Sequence, residues 1–205
     1  MAVTRDEEIL VWKQQPTDDS FSNYSIYDRL NTAHSATITA ANFSANGRCL
    51  ATASDDQTIK IWETENRRLR FVLNGHAATP TSVVFGSSPP ATAASDASMC
   101  GTELFSAGED KTIKQWNVGA SRDLLTIPLS ASFVESIAVS PNSDVSLFAA
   151  VDGNGLLTLV DYETGLIRTQ QQVHDLRGNH VAFSPGEGRY VASAGDDHFI
   201  VVYDT

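Results

Sequence analysis

The chain has 205 residues, of which 41% are hydrophobic and 19% charged, and its formal net charge is -11. This apolar content predicts a folded core and excludes wholesale disorder. The acidic excess disfavours loose binding to nucleic acid or to an anionic membrane, because both carry the same sign of charge.

The N-terminal segment MAVTRDEEILVW is unlike a signal peptide, since its acids come early and its apolar run is short. No apolar stretch approaches the roughly 20 residues of a membrane helix. We therefore expect an intracellular protein, cytoplasmic or nuclear. Cys49 and Cys100 show neither a metal-ligand spacing nor a disulfide framework, so we expect Cys49 to be a small buried residue.

Short runs of one kind recur along the chain. They are EILVW (8–12), TIKIW (58–62), TIKQW (112–116), LLTLV (156–160) and FIVVY (199–203), and the ends of the last four are 54, 44 and 43 residues apart. A second marker repeats in step with them, at Phe43-Ser44, Phe85-Gly86, Val139-Ser140 and Phe183-Ser184. Two markers that move together indicate an internal repeat.

Each repeat contains the same sequence of elements. An alternating strand, here called a, is followed by a turn such as Asn46-Gly47, a small-residue strand b, an acidic turn, strand c and a weaker strand d. Helical periodicity is absent. A fixed period of four antiparallel strands favours a β-propeller over a sandwich or barrel. We predict an all-β fold with about four to five four-stranded blades.

The predicted organisation has two parts. Residues 1–33 are predicted to form a partial N-terminal blade, with strand c at Ile9–Trp12 and strand d at Tyr24–Leu30, and residues 34–205 the remaining blades. The composition of 86–101 predicts a flexible insertion between strands a and b. Propellers have about 4–8 blades and fewer than five are present here, so three explanations stay open: a fragment, a ring completed by another chain, or closure by residues 24–30 as the last blade's fourth strand.

The segments NGH (74–76), SDDQTIKIWE, GEDKTIKQWN and GDDHFIVVYD resemble the WD-repeat family, from about residue 34 to residue 205. The resemblance implies a hydrogen-bonded tetrad in each blade: an Asp in the b–c turn, a His before strand a, a Ser or Thr in strand b, and the Trp of strand c. The matching residues are His34, Thr52, Asp56 and Trp62 in the first unit; His76, Ser106, Asp110 and Trp116 in the second; and Ser193 and Asp197 in the fourth, with Tyr203 in the Trp place and His174 as a partner.

The third unit departs from this pattern. Asn154 stands in the Asp place, Ala150 in the hydroxyl place and Val160 in the Trp place. We expect this blade to be held by apolar packing alone.

The resemblance implies a non-catalytic scaffold that mediates protein–protein interactions in a multiprotein complex. The alternative is a substrate-recognition or regulatory subunit of an enzyme complex. Asp, His and Ser together also suggest a hydrolase triad, but the sequence has no GxSxG, HExxH, CxxC or phosphate-loop motif, and we expect no catalytic residue, metal or cofactor. The candidates for contact with a protein or peptide partner are Asp55, Glu109, Lys111, Asp196 and His198.

Overall fold

A computed structural model describes residues 2–3, 9–14, 24–30, 33–86, 100–101, 103–129, 132–142 and 145–205. In these residues the strands are β1 Ala2–Val3, β2 Ile9–Gln14, β3 Tyr24–Leu30, β4 Ile38–Phe43, β5 Cys49–Ser54, β6 Thr58–Glu63, β7 Leu69–Asn74, β8 Pro80–Phe85, β9 Glu103–Gly108, β10 Thr112–Asn117, β11 Arg122–Pro128, β12 Val134–Val139, β13 Leu147–Asp152, β14 Leu156–Asp161, β15 Leu166–Gln172, β16 Gly178–Phe183, β17 Tyr190–Gly195 and β18 Ile200–Asp204.

The strands pair antiparallel with their neighbours in sequence and form five sheets in the described residues. We call β1–β3 the N-terminal sheet, β4–β7 blade 1, β8–β11 blade 2, β12–β15 blade 3 and β16–β18 blade 4. The all-β prediction and its four-stranded unit are confirmed. None of the described elements is a helix able to cross a membrane.

Small residues in the second strand of each blade allow the sheets to stack. Every residue of β5 and β13 is buried, because these strands lie in mid-sheet with both faces covered. Ala51 and Ala53 face blade 2, and Ala149 faces blade 4. Each pair of neighbouring blades encloses one apolar cluster, so the core of the molecule lies between sheets.

The inner strands β4, β8, β12 and β16 line a central cavity of about 600 Å³. Hydroxyl groups on these strands join successive blades. The Thr39 hydroxyl donates to the carbonyl of Pro80, and the Thr81 hydroxyl donates to that of Val134. The hydroxyl oxygen of Ser82 accepts from the amide of Ile137. The blades are thus joined by polar bonds at the inner strands as well as by their apolar faces.

The expectation that the cysteines are unpaired is wrong. Cys49 and Cys100 form a disulfide with a Cα–Cα distance of 5.2 Å, and both are fully buried. The two residues lie 51 positions apart and belong to different blades. Their pairing depends on the stacking of blades, which the spacing of cysteines in the sequence does not reveal.

Closure by residues 24–30 is also contradicted. Strand β3 pairs with β2, with Ile9 opposite Leu30, and blade 4 ends at β18 with three strands. Ile200 and Val202 in β18 are 75% and 63% exposed. The fold is therefore a partial propeller with an open face on blade 4. Of the insertion predicted at 86–101, residues 87–99 lie outside the described residues.

Candidate functional site

Backbone hydrogen bonds define two ends of the propeller. The b–c turns bond to the segments that precede the inner strands: Asp55 N–H donates to Thr37 O, and Asp196 N–H donates to Arg177 O. We call this end the turn face. The a–b and c–d turns meet at the other end, where Thr64 N–H donates to Arg48 O, and we call that end the opposite face.

The b–c turn has the same backbone geometry in all four blades. Its fourth residue has a positive φ: 67° at Gln57, 66° at Lys111, 79° at Gly155 and 70° at His198. The amide of that residue donates to the carbonyl three positions earlier, as Gln57 does to Ser54. The turn face therefore presents one turn of the same shape per blade, and the second tip residue is Asp in blades 1, 2 and 4 and Asn154 in blade 3.

Blades 1 and 2 bring together the residues that the family resemblance implied. In blade 2, His76 Nδ1 lies 2.8 Å from an Asp110 oxygen and His76 Nε2 lies 2.7 Å from Ser106 Oγ, to which Trp116 Nε1 donates at 2.8 Å. The same arrangement in blade 1 has distances of 2.9, 2.8 and 2.9 Å and joins His34, Asp56, Thr52 and Trp62.

The hydrogen bonds of each tetrad form a chain in which every donation runs from the Trp side towards the Asp. The indole N–H of Trp116 donates to Ser106, so the Ser106 hydroxyl has its own hydrogen free for His76 Nε2. His76 Nδ1 then donates to Asp110, which can only accept when ionised. A neutral imidazole satisfies this chain. Burial lowers the pKa of His76, against the opposing charge of Asp110, and it likewise lowers that of His34.

The turn aspartates are held as anions. Asp110 accepts from His76, from the amide of Ala77, and from the amide and hydroxyl of Thr112. Burial alone would raise the pKa of Asp110, but these donors outweigh it and leave the pKa below its ordinary value. The corresponding donors do the same for Asp56. Each carboxylate thereby ties its turn to the segment before strand a.

Blade 4 keeps most of the tetrad. His174 Nδ1 lies 3.0 Å from Asp197, and its Nε2 lies 2.9 Å from Ser193 Oγ. Phe199 occupies the place of Thr112, so Asp197 receives only the backbone amide there. Tyr203 stands in the Trp place and packs against the apolar cluster between blades 3 and 4.

Blade 3 holds its turn with a different carboxylate. Asp152, at the end of β13, accepts from the amides of Asn154 and Leu156 at 2.9 Å. Val160 and Ala150 pack in the apolar cluster with Phe105, whose ring lies 5.0 Å from that of Tyr162. The expectation of apolar packing alone is therefore wrong for the turn, because Asp152 is two positions before the place where the family pattern has its Asp.

The Ser106–His76–Asp110 distances match those of a nucleophilic triad, but the surroundings of Ser106 do not. Ser106 is fully buried and its oxygen is bonded to Trp116. Thr52 and Ser193 are buried in the same way. No group of three or more His, Cys, Asp or Glu residues within the described ranges could hold a metal ion. The tetrads can fix a backbone, and they offer no room for a substrate beside the hydroxyl.

The partner-binding candidates all lie on the turn face. All five are exposed, namely Asp55, Glu109, Lys111, Asp196 and His198. Asp196 accepts from the side-chain amide of Asn179, and the others project from three different blades. Sequence reasoning missed Arg177, which donates to Glu135 across blades 3 and 4 at 2.6 Å; this bond raises the pKa of Arg177. No sequence signal identifies this pair, because its members are 42 positions apart.

Stacked antiparallel sheets around a shared cavity, each with the same hydrogen-bonded turn, define a partial β-propeller. A family model described as "WD domain, G-beta repeat" matches residues 27–63 and 67–117. The chain therefore contains WD repeats, with this match over 27–63 and 67–117.

Curated relatives agree with this assignment. The chain is 30% identical to WD repeat-containing protein SL1-17 of Schistosoma mansoni over 171 residues. This aligned stretch covers 83% of this chain and 52% of the relative. It is 27% identical to COMPASS component SWD3 of Saccharomyces cerevisiae, over 80% of this chain and 46% of the relative. It is 30% identical to nuclear distribution protein PAC1 of Arthroderma benhamiae, over 84% of this chain and 36% of the relative. The chain thus spans about half or less of these relatives.

Proposed function

We propose that this chain is a non-catalytic scaffold whose turn face binds other proteins or peptides. The observation that carries the proposal is the set of exposed turn residues on a backbone fixed by buried hydrogen bonds. A rigid surface loses little conformational entropy on binding, so fixed turns favour specific recognition. The buried hydroxyls of the tetrads support a binding role over a catalytic one.

The charge of the turn face indicates a basic partner. Asp55, Glu109 and Asp196 place carboxylates at the turns of three blades, with Lys111 and His198 beside them. Complementary charge of this kind increases the association rate and selects among partners. The name of one relative, COMPASS component SWD3, refers to a component of a larger assembly and supports a scaffold role. We also propose a cytoplasmic or nuclear location, as expected from the amino-acid sequence.

The open face of blade 4 supports a second element of the proposal. Ile59 and Leu157, which occupy the position of Ile200 in blades 1 and 3, are at most 1% exposed because the next blade covers them. Ile200 is 75% exposed. We infer that a further WD-type blade packs on this face, supplied by a longer form of the protein or by another chain. Such a blade would continue the stacking that already joins blades 1 to 4.

The test is affinity purification from native cells with two matched variants. The triple variant Asp55→Asn, Glu109→Gln, Asp196→Asn removes three charges from the turn face. The control Glu63→Gln, Glu65→Gln, Glu187→Gln removes three from the opposite face. We expect a stoichiometric partner set that the first variant loses and the control keeps, with binding that weakens as salt rises.

Two results would contradict the proposal. Equal recovery of partners by both variants would show that the turn face is not the binding surface. Turnover of a substrate by the purified chain, abolished by Ser106→Ala, would show an enzyme. If an enzyme is among the partners and its activity depends on this chain, the regulatory-subunit alternative is favoured.

A further inference from the structure

The disulfide between Cys49 and Cys100 crosses from one blade to the next. Cys49 is the first residue of β5 in blade 1, and Cys100 lies shortly before β9 in blade 2. The bond therefore adds a covalent link to an interface that is otherwise held by apolar contacts and hydrogen bonds. No other disulfide or free cysteine is present, since the sequence has two cysteines.

The surroundings of the two sulfurs suit both oxidation states. Both cysteines belong to the apolar cluster between blades 1 and 2, which also contains Ala51, Phe85 and Leu104. A thiol behaves as a small hydrophobic group, so two reduced cysteines leave no strongly polar atom unsatisfied in this cluster. The blades can therefore stay stacked when the bond is broken, which a reversible link requires.

The two cysteines lie in different local structures. Cys49 N–H donates to the Ser44 hydroxyl, and Cys49 O accepts from the Ser44 amide, so both sides of Cys49 are fixed. Cys100 lies outside the strands and precedes Gly101, whose φ is +87° and beside which there is open space. A gap of about 20 Å³ borders Cys100 and has room for about one water molecule. Cys100 is the sulfur that an external thiol or disulfide would reach first.

We propose that Cys49 and Cys100 are a reversible thiol–disulfide pair that locks blade 1 to blade 2 when oxidised. The oxidant is a small disulfide such as glutathione disulfide. The Cys100 thiolate attacks one of its sulfurs and releases one glutathione thiolate, and the Cys49 thiolate then attacks the mixed disulfide at Cys100 and releases the second. Two protons and two electrons leave the cysteines, and one glutathione disulfide becomes two glutathione thiols.

The lock changes stability because it closes a long loop. Residues 49 and 100 are separated by 51 positions, and a crosslink of this span restricts the unfolded chain strongly. We expect reduction to lower the melting temperature of the full chain by about 10 °C. The gap beside Cys100 is too small for glutathione, so exchange must follow a local opening and should be slow in the native state.

The experiment is a redox titration of the full chain in glutathione buffers, followed by thermal unfolding and by intact mass after alkylation in denaturant, which exposes both buried cysteines. We expect the fully oxidised buffer to produce monomer with no alkylated cysteine, and excess dithiothreitol to restore two. Removal of dithiothreitol and addition of glutathione disulfide should re-form the bond. Hydrogen exchange in β5 and β9 should rise by at least tenfold on reduction, while β17 in blade 4 stays unchanged and serves as the internal control.

The double variant Cys49→Ala, Cys100→Ala is the control for effects of the reagents, and its melting temperature should not respond to them. The proposal would be overturned if the wild-type chain kept two alkylatable cysteines in oxidised glutathione, or if its melting temperature were the same in both states. Because the wild-type titration is sufficient, the proposal is testable even if the variant fails to fold. A failure here leaves partner binding at the turn face untouched, so the two proposals are separable.

Discussion

The turn carboxylates fix the position of each turn because each one collects donors from two segments of the chain. Asp110 receives bonds from His76 and Ala77 before strand a and from Thr112 at the start of strand c. A carboxylate that is partly removed from water is stable only with such donors. In blade 3, where the tetrad is missing, Asp152 accepts instead from two amides of its own turn.

Removing these carboxylates should reveal which positions hold the turns. Asp110→Ala leaves buried donors without an acceptor and should lower the free energy of unfolding by about 1–3 kcal/mol. Asp152→Ala should cost a similar amount. Asn154→Ala should cost much less, because Asn154 contributes to the turn through its backbone amide. Urea unfolding of the three variants measures this, and equal losses at Asp110 and Asn154 would mean that the turn contacts are misassigned.

The buried histidines predict a loss of stability in acid. Burial lowers the pKa of His34 and His76 below the ordinary value of 6.5. The unfolded chain therefore takes up protons first, so this contribution to stability is complete above about pH 6.5 and is lost as the pH falls below it. Asp56 and Asp110, with lowered pKa values, add a further loss below about pH 4.

Urea unfolding between pH 7.5 and pH 5 measures this effect. Each histidine can contribute at most about 1.4 kcal/mol per pH unit over this range. His76→Gln removes one of the two buried imidazoles and should reduce the slope. If the free energy of unfolding of the wild-type chain did not change with pH, both imidazoles would be protonated as readily in the folded as in the unfolded chain, which would contradict the prediction.

At the scale of elements, the b–c turn and the start of the next blade determine each other's position. Gly155 in blade 3 has a φ of +79°, and a Cβ there would lie 2.3 Å from the carbonyl oxygen of His174 and 2.4 Å from that of Leu176. The segment before β16 therefore passes directly over the turn of the preceding blade. This close approach explains why blade 3 needs glycine where blades 1, 2 and 4 have Gln57, Lys111 and His198.

Two glycines with similar backbone angles allow the effect of this close contact to be separated from the effect of the left-handed backbone. Gly186 has nearly the same φ, +78°, but open space beside it. Gly186→Ala should cost about 1 kcal/mol for the left-handed backbone alone. Gly155→Ala should cost about 3 kcal/mol or more, since the carbonyl groups must move as well. Equal melting temperatures of the two variants would mean that the segment before β16 shifts freely.

At the scale of the whole molecule, each blade is stable because its neighbours cover its faces. The apolar clusters lie between sheets. A sheet at the end of the series therefore exposes residues whose equivalents in other blades are buried. Ile200 and Val202 are such residues, and Phe199 beside them is 66% exposed. An apolar face of this kind favours association.

Equivalent isoleucines in blades 1 and 4 test this interpretation. Ile59→Ala removes a fully buried side chain and should lower the free energy of unfolding by about 2–5 kcal/mol. Ile200→Ala should change it by less than about 0.5 kcal/mol in the monomer. Ile200→Lys should also reduce concentration-dependent sedimentation. A large loss of stability for Ile200→Ala at low concentration would mean that this face is covered within the chain.

The repeat made much of the fold predictable. The alternating strands and small-residue strands recur with their turns, and this local pattern determines where each strand begins and which face is apolar. The motif residues His76, Ser106, Asp110 and Trp116 were also visible, because the family resemblance relates positions by their place in the unit. The role of Asp152 is not predictable in this way, because its carboxylate lies two positions before the place where the family pattern has its Asp.

The strands, their order and the acidic turns are readable from the amino-acid sequence, since they depend on residues close together along the chain. Which groups from different blades meet depends on the folded molecule. The Cys49–Cys100 bond, the Arg177–Glu135 pair and the bond from Thr39 to Pro80 each join residues more than 40 positions apart. Contacts of this kind depend on how whole sheets stack, and stacking is determined by the sum of many apolar contacts that no single motif encodes.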